Sequence, residues 1–490
     1  MSTIETARVV LYDGSHRDVR FRTPYIGEGG CKIVFLTDDE QSVICLYKPG
    51  IVDVADPNRH TRLQRVLTVF NPTITKANGG LARDNKEAQY YANLFCWPTG
   101  IVLTPMLGVM TPVYPKNFFF STGKFKGKDK EGKWFSSPKL RKLLPPDELG
   151  DWLKYLLMCS RMARAANKMH MTGIAHSDFS SKNILVDPGT HAACSIIDLD
   201  SVVVPNVFPP DVAGTPNYIA PEVIRTLQLP RDDPTKASAS IWTDLHALGV
   251  LFYEYLLRRH PLIGPKVNSP VSAEEDHKLS MGERALFIEH PQDQSNRPQR
   301  LTVGCEHLGP LLQKQFNNCF INGLHNPRNR PTAAQWEGAL CKTLDIILPC
   351  GNAHCSEKWF VYREDQKKQV CPWCGWKLKQ KIPYFRFYYA PLAGQYRDEG
   401  HGLTGWSGRT LHEWHVFRNK QPNASSDSRV MADVHFHEGK WLLVNRALDD
   451  MTSATGRPVA HGQAVELKDG NQYHLSSGGR GRMVNVTFIG

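Results

Sequence analysis

The stretch His176–Asn183, HSDFSSKN, with the run Ile196–Asp200, IIDLD, shortly after it, constrains this chain more than any other feature. A histidine, an aspartate two residues on and an asparagine five beyond that aspartate put a carboxylate and an amide in one short segment. Asp178 can accept the proton of an incoming hydroxyl, and Asn183 and Asp198 offer the hard oxygen ligands that magnesium prefers. Alone, this spacing also occurs in an ordinary loop and strand with solvated carboxylates. Its weight depends on what stands around it.

A length of 490 residues allows two to four domains at roughly 150 residues each. Hydrophobic content of 41% and charged content of 22% are globular values that support a sizeable core. The formal charge of +11 permits an anionic partner (nucleotide, nucleic acid, acidic protein or lipid headgroup) without choosing among them. The first residues, MSTIETARVV, lack an apolar core behind a basic start, so no secretory signal is expected. No apolar run approaches the roughly 18 residues of a membrane span. Eight of the 12 cysteines are scattered singly and four cluster between 350 and 374, the usage of a reducing compartment with one metal site. A soluble cytoplasmic protein with no membrane partner is expected.

Val9–Leu11 and Val19–Phe21 flank an Asp13-Gly14 turn and predict a hairpin. In Ile26–Phe35, Gly27, Gly29 and Gly30 precede Val34 and an apolar strand that runs to Lys48. Glycines between two strands let backbone N–H groups approach phosphates, although a lone glycine turn is more often a plain hairpin. Glu87, the one glutamate between 51 and 100, sits in a helical pattern, NKEAQYYANLF. Val52–Leu81 has no evident role. Ile101–Tyr114 should supply further strands and a hinge near Met110–Tyr114. The lysine-dense insertion 121–143 favours an exposed loop, with docking of an acidic partner as an alternative. Asp147–Met171 is amphipathic, with Trp152, Leu156, Met162, Ala166 and Met169 on one face.

Beyond IIDLD comes Gly214–Glu222, GTPNYIAPE, then Asp244–Gly249, DLHALG, and finally Arg330 in NPRNRP. Together these motifs resemble the eukaryotic-type protein kinase family across residues 20–345. The resemblance implies an α+β two-lobed fold with ATP between the lobes, 1–114 forming the smaller lobe and 115–345 the larger. It implies that Gly27, Gly29, Gly30 and Val34 cover the nucleotide and that Lys48, oriented by Glu87, grips its phosphates. Asp178 would be the base, Lys182 would reach the γ-phosphate, and Asn183 and Asp198 would hold Mg2+. His176, Asp244 and a Glu222–Arg330 pair would be structural. Four departures stand out: Lys32 at the third glycine, Ser177 before the base, Ser180 for a lysine, and Asp200 for the glycine after the metal-binding aspartate.

Cys350 and Cys355, then Cys371 and Cys374 in CPWCG, read as a zinc ribbon over 346–380, with four thiolates suited to tetrahedral structural Zn2+. His354 is an alternative ligand. Arg363 and Lys367–Lys368 would permit nucleic-acid contact. Residues 381–490 are rich in short strands and Gly/Asn/Asp turns. Their succession, from Ser428-Arg429 through Gly439–Val444 to Leu467–Gly470, is similar to a forkhead-associated (FHA) β-sandwich. Met431 replaces that family's histidine and Asp450-Met451 its Asn-Gly, so phosphothreonine binding is in doubt, with Arg418 a candidate anion contact.

The expectation is a multidomain Ser/Thr protein kinase that phosphorylates a protein substrate, with C-terminal modules for partner recruitment. The non-arginine catalytic loop, IDLDS and ribbon look like bacterial kinases of tellurite-resistance-type stress operons. That likeness would imply a von Willebrand A (VWA) domain protein and a metal-dependent protein phosphatase as partners. The alternatives are an ATP-binding pseudokinase scaffold and, lesser still, a nucleic-acid-associated module.

Overall fold

Period-two patterning in the first 112 residues builds one sheet. Strands β1 (Thr3–Leu11) and β2 (His16–Thr23) form the N-terminal hairpin, with Gly14 in the left-handed region at φ +80°. They are followed by β3 (Gly27–Glu28), β4 (Lys32–Leu36), β5 (Ser42–Tyr47), β6 (Gly100–Thr104) and β7 (Gly108–Pro112). The seven strands are ordered β2-β1-β6-β7-β5-β4-β3. This computed structural model describes residues 3–74, 85–205, 207–210, 214–230, 233–392, 394–422, 426 and 428–490. Two compact units result: Met1–Gly150, Leu157–Arg300 and Gln315–Glu337 make the first, and Asp151–Leu156, Leu301–Lys314 and Gly338–Gly490 the second.

Two buried clusters pack on the sheet. Ala7, Val9, Phe21, Ile44, Leu46, Val102 and Met110 form one small core. Tyr47, Ile101, Leu107 and Val109 form the other, with Leu63 and Leu67 of helix α1 (Pro57–Leu67). Helix α1 lies within the stretch that had no evident role. Asp56 caps it and Pro57 starts it, the arrangement that spares the first unpaired N–H groups. Helix α2 (Lys86–Ala92) is capped by Asn85 and carries Glu87. Strands β8 (Ile184–Asp187) and β9 (Ala193–Ile196) form a hairpin, buried at all but Ala193 of its strand residues, after the helix Trp152–Met171. Helix Ile241–Leu257 runs through the helical part of this unit and is buried along most of its length, as its apolar sequence requires.

The lysine-rich insertion is not the plain exposed loop that its composition suggests. Phe120 packs on Phe125, Trp134 and Phe135, and Lys130 is buried between Glu148 (2.5 Å) and Asp187 (3.1 Å). Alternating Lys and Gly hides an aromatic repeat that closes on itself.

The second unit is all-β at its C-terminal end. Strands β10 (Ile347–Pro349) and β11 (Trp359–Val361) pair as a ribbon. Then come β12 (Ile382–Leu392), β13 (Gln395–Thr404), β14 (Thr410–Leu411), β15 (Ala432–His437), β16 (Lys440–Asn445), β17 (Ala464–Glu466), β18 (Gln472–His474) and β19 (Arg482–Ile489). They form two four-stranded sheets, β13-β12-β19-β18 and β14-β15-β16-β17. Ribbon residues Leu348, Cys355, Phe360 and Cys371 share one buried cluster with Phe385, Leu403, Val434 and Val484 of the sheets. No helix among the described residues is long and apolar enough to cross a membrane.

Candidate active site

The loop His176–Asn183 connects a long helix to the β8–β9 hairpin, and a buried carboxylate fixes its shape. Asp244 accepts from the backbone N–H groups of His176 (2.7 Å) and Ser177 (3.1 Å), with His170 Nε2 at 3.1 Å. His176 Nε2 lies 2.9 Å from the carbonyl of Ile197, tying this loop to the residue before Asp198. Ser177 has φ 70°, and its hydroxyl is buried without a hydrogen-bond partner.

Asn183 donates from Nδ2 to the backbone carbonyl and to Oδ2 of Asp178, both at 2.9 Å. That fixes the amide and leaves its oxygen as the atom suited to a cation. Thr215 holds Asp178 from the other side, through its N–H (2.6 Å) and hydroxyl (3.2 Å), and its hydroxyl is 3.3 Å from Ser180 Oγ. Thr215 is the functional residue that sequence reasoning quoted within GTPNYIAPE without giving it a role. Ile197 N–H donates to the Asn183 carbonyl at 3.0 Å, so Asp198 emerges beside Asn183. Asp198 has φ 64° and a half-exposed side chain. Lys182 is exposed. Arg330 makes a two-pronged pair with Glu222 at 2.7 Å on each arm, and it also donates to the carbonyls of Trp242, Gly323 and Leu324. This pair anchors the end of the Gly214–Glu222 segment. Tyr218 of the same segment donates to Glu254 at 2.5 Å, and burial pushes that carboxyl up to about 7.

The glycine turn joins β3 to β4, with Gly27 paired to Val34 and the Gly29 N–H bonded to the Lys32 carbonyl at 2.9 Å. A Cβ on Gly30 would meet no protein atom within 4 Å. The predicted Lys48–Glu87 pair is not formed. Lys48 Nζ goes to Glu28 at 2.5 Å, and Glu87 pairs with Lys168 at 2.8 Å. The cause is strand parity together with helix position. Lys48 stands one residue past the end of β5, out of phase with Tyr47, while Glu87 belongs to a helix later than the one packed on the sheet. The lysine near Asp198 is instead Lys32, whose Nζ donates to Asp198 Oδ1 and, at 2.7 Å, to Asp200 Oδ1. Tyr47 donates to the other oxygen of Asp200 at 2.5 Å. Burial works against charge on Asp200, yet Lys32 and the hydrogen bonds of Lys32 and Tyr47 hold its carboxyl below the usual range.

In the second unit, Cys350, Cys355, Cys371 and Cys374 bring their sulfurs within 4.8 Å of one another, with Cys350–Cys374 at 3.5 Å and Cys355–Cys371 at 3.9 Å. A tetrahedral zinc with bonds of about 2.3 Å would set sulfurs about 3.8 Å apart, so the donor set fits that ion. His354 is exposed and outside the group. Arg363 is engaged by Asp365 at 2.7 Å. Met431 is core, and the Arg418 guanidinium lies 3.7 Å from the Tyr389 ring centre.

With this geometry in view, similarity to known proteins adds a family. Residues 146–337 match the protein kinase domain family. The chain carries a eukaryotic-type protein kinase domain. The serine/threonine-protein kinase AtPK1/AtPK6 of Arabidopsis thaliana is 28% identical over 192 residues, which are 39% of this chain and 36% of that protein. The serine/threonine-protein kinase pkn3 of Myxococcus xanthus is 23% identical over 186 residues, 36% of this chain and 28% of that protein. The chain thus spans about a third of the length of the curated relatives it matches. The crystal structure of a Toxoplasma gondii rhoptry antigen kinase domain overlays 69% of this chain and 86% of that one, at 12% identity and a TM-score of 0.39.

Proposed function

We propose that this protein is a serine/threonine kinase that moves the γ-phosphoryl group of ATP to a protein hydroxyl. The observation that carries this reading is the Asp178 carboxylate, clasped by Asn183 and Thr215 beside Asp198. The hydroxyl oxygen forms a bond to the γ-phosphorus while the bond from that phosphorus to the β–γ bridging oxygen breaks, and ADP departs with the electron pair. Asp178 orients the hydroxyl and takes its proton. Asn183 and Asp198 are the residues to hold Mg2+, which supplies charge neutralisation on the phosphates when bound. Gly27, Gly29 and Gly30 with Val34 cover the nucleotide, and exposed Lys182 is within the same loop to meet the γ-phosphate. Positioning and fixed charge supply most of the acceleration.

The rest of the chain serves recruitment and support. Cys350, Cys355, Cys371 and Cys374 hold a structural zinc, and the two C-terminal sheets form an FHA-like interaction module. The division into 1–114, 115–345, 346–380 and 381–490 follows from that reading, as does a cytoplasmic protein whose partners are a VWA-domain protein and a metal-dependent phosphatase. The unformed Lys48–Glu87 pair favours one second reading, an ATP-binding scaffold that transfers nothing.

Incubation with labelled ATP, magnesium and a mixed protein substrate separates the two. We expect label on serine or threonine, and a loss of about 10³-fold in Asp178→Asn with nucleotide binding retained. Binding without transfer in the unaltered protein would establish the scaffold.

A further inference from the structure

Resting on the nucleotide-binding reading above, we propose that Lys32, rather than Lys48, holds the nucleotide phosphates, and that Asp200 is the carboxylate that positions it. The register of the glycine hairpin comes first. Lys32 is the direct cross-strand partner of Tyr47 in the β4–β5 ladder. Directly opposed residues project to the same face, and both side chains reach Asp200. Lys48 is one residue out of phase and is engaged by Glu28. The lysine that the motif singles out, one residue past the end of β5, is therefore taken by Glu28 and not by Asp200.

A lysine that grips phosphate needs a carboxylate to aim it, and the helix in place to offer one does not. Helix α1 packs on the turn Leu199–Ser201, but its sequence, PNRHTRLQRVL, contains no acidic residue. It presents cations there: the Arg59 guanidinium lies 5.4 Å from the centre of the Tyr47 ring. Asp200 supplies the missing carboxylate from the turn itself. It is 4% exposed, and the Tyr47 phenol, kept protonated by burial and by the neighbouring Asp200, donates to it. The replacement of glycine by Asp200 and the replacement of glycine by Lys32 are thus two halves of one pair.

The placement of Lys32 also suits a ligand rather than a stabilising bridge. An ammonium group has three N–H donors, of which Asp198 and Asp200 take two. Its side chain is 19% exposed and that of Asp198 is 41%, so the open side of the pair is the side of the metal-binding carboxylate. Gly29 and Gly30 stand three and two residues before Lys32, and their backbone has no side chain to keep phosphate away. A buried ion pair contributes little net stability because desolvation offsets attraction, so stability alone does not account for this one. Lys32 makes and breaks no bond. It fixes the phosphates while Asp178 meets the hydroxyl.

The test compares Lys32→Met with Lys48→Met by displacement of a fluorescent ATP analogue in magnesium, and by phosphotransfer. We expect Lys32→Met to weaken Mg-ATP binding at least about tenfold more than Lys48→Met, the scale of one charge-assisted hydrogen bond. Equal losses, or a larger loss at Lys48, would overturn the assignment. If Lys32→Met does not fold, Lys32→Arg keeps the charge while moving the donors and gives the same ranking. Asp200→Asn should raise the KM for ATP about tenfold, with partial recovery in Asp200→Glu. A shift in melting temperature alone, with KM unmoved, would make Asp200 merely structural and overturn its part. Transfer with the ranking reversed defeats the Lys32 assignment and leaves the kinase reading intact. The expected ranking with no transfer in the unaltered protein does the opposite.

Discussion

Two aspartates, one in each unit, show how the same chemistry serves different ends. Asp200 sits in a turn, bonded to Lys32 and Tyr47, and its lysine is shared with the half-exposed Asp198. Asp345, at the end of helix Ala333–Asp345, is bonded to His401 (2.8 Å), His415 (3.0 Å) and Arg409 (3.2 Å), all in the second unit. Burial opposes the charge on each, and the groups bonded to each, Lys32 and Tyr47 for Asp200 and the two histidines for Asp345, hold both carboxyls below the usual range. The difference lies in where the partners lead. His401, Arg409 and His415 around Asp345 are largely buried side chains of the same unit, whereas the lysine partner of Asp200 continues to a carboxylate at the surface. A closed cluster ties the chain together. An open one can exchange a partner for a ligand.

Three experiments test that contrast, beginning with the largest effect. Removal of metal with a strong chelator should abolish the cooperative thermal transition of the second unit, because Cys355 and Cys371 belong to the core that Asp345 serves. Structural zinc in comparable small sites is worth on the order of 10 kcal/mol. Calorimetry should then show the transition of the first unit little changed, with nucleotide affinity kept. Loss of both together would erase the distinction between the clusters. Next, Asp345→Asn should cost about 3 kcal/mol in the second transition, since Arg409 loses its counter-charge and two histidines lose their hydrogen-bond partner. It should leave the KM for ATP unchanged, the reverse of the result expected for Asp200→Asn. A KM change matching that of Asp200→Asn would break the comparison.

The smallest effect is a pH slope. Burial first, and only then the opposing pull of Asp345, leaves His415 below its ordinary value. A histidine that resists protonation when folded contributes stability that is full above the unfolded value of about 6.5 and is lost as pH falls below it. Asp345, also depressed, gives way only at lower pH, below the ordinary aspartate range. Between pH 7.5 and 5.5 the second transition should therefore move to lower temperature, and His415→Gln should flatten that slope. An unchanged slope in the variant would assign the titration elsewhere. Asp200 has no histidine among its partners and predicts no slope of its own in this window.

Much of the catalytic segment could be read without coordinates because its chemistry is local. Asp178 and Asn183 lie in one loop, and their hydrogen bond spans five residues. Glu222 and Arg330 are far apart, but each sits in a motif dense enough to mark it, and they meet in a two-pronged pair. The four cysteines likewise announce themselves by spacing, and their sulfurs gather. The lysine could not be read in this way. Lys48 ends an apolar strand and looks right, while Lys32 looks like a defect in a glycine turn. Choosing between them requires knowing which face of β5 meets the turn Leu199–Ser201, and composition carries no record of that.

The sequence by itself determined the residue types of the site, the loop that carries Asp178 and Asn183, and the cysteine cluster. In each, the relevant partners are near in the chain or marked by a dense motif. Tertiary structure alone decided which lysine faces Asp198, which carboxylate receives it, and that ribbon and sheets share a core. A one-residue step along a strand reverses the direction of a side chain, and Lys32 meets Asp200 across 168 residues of sequence. Only the folded register brings such a pair together.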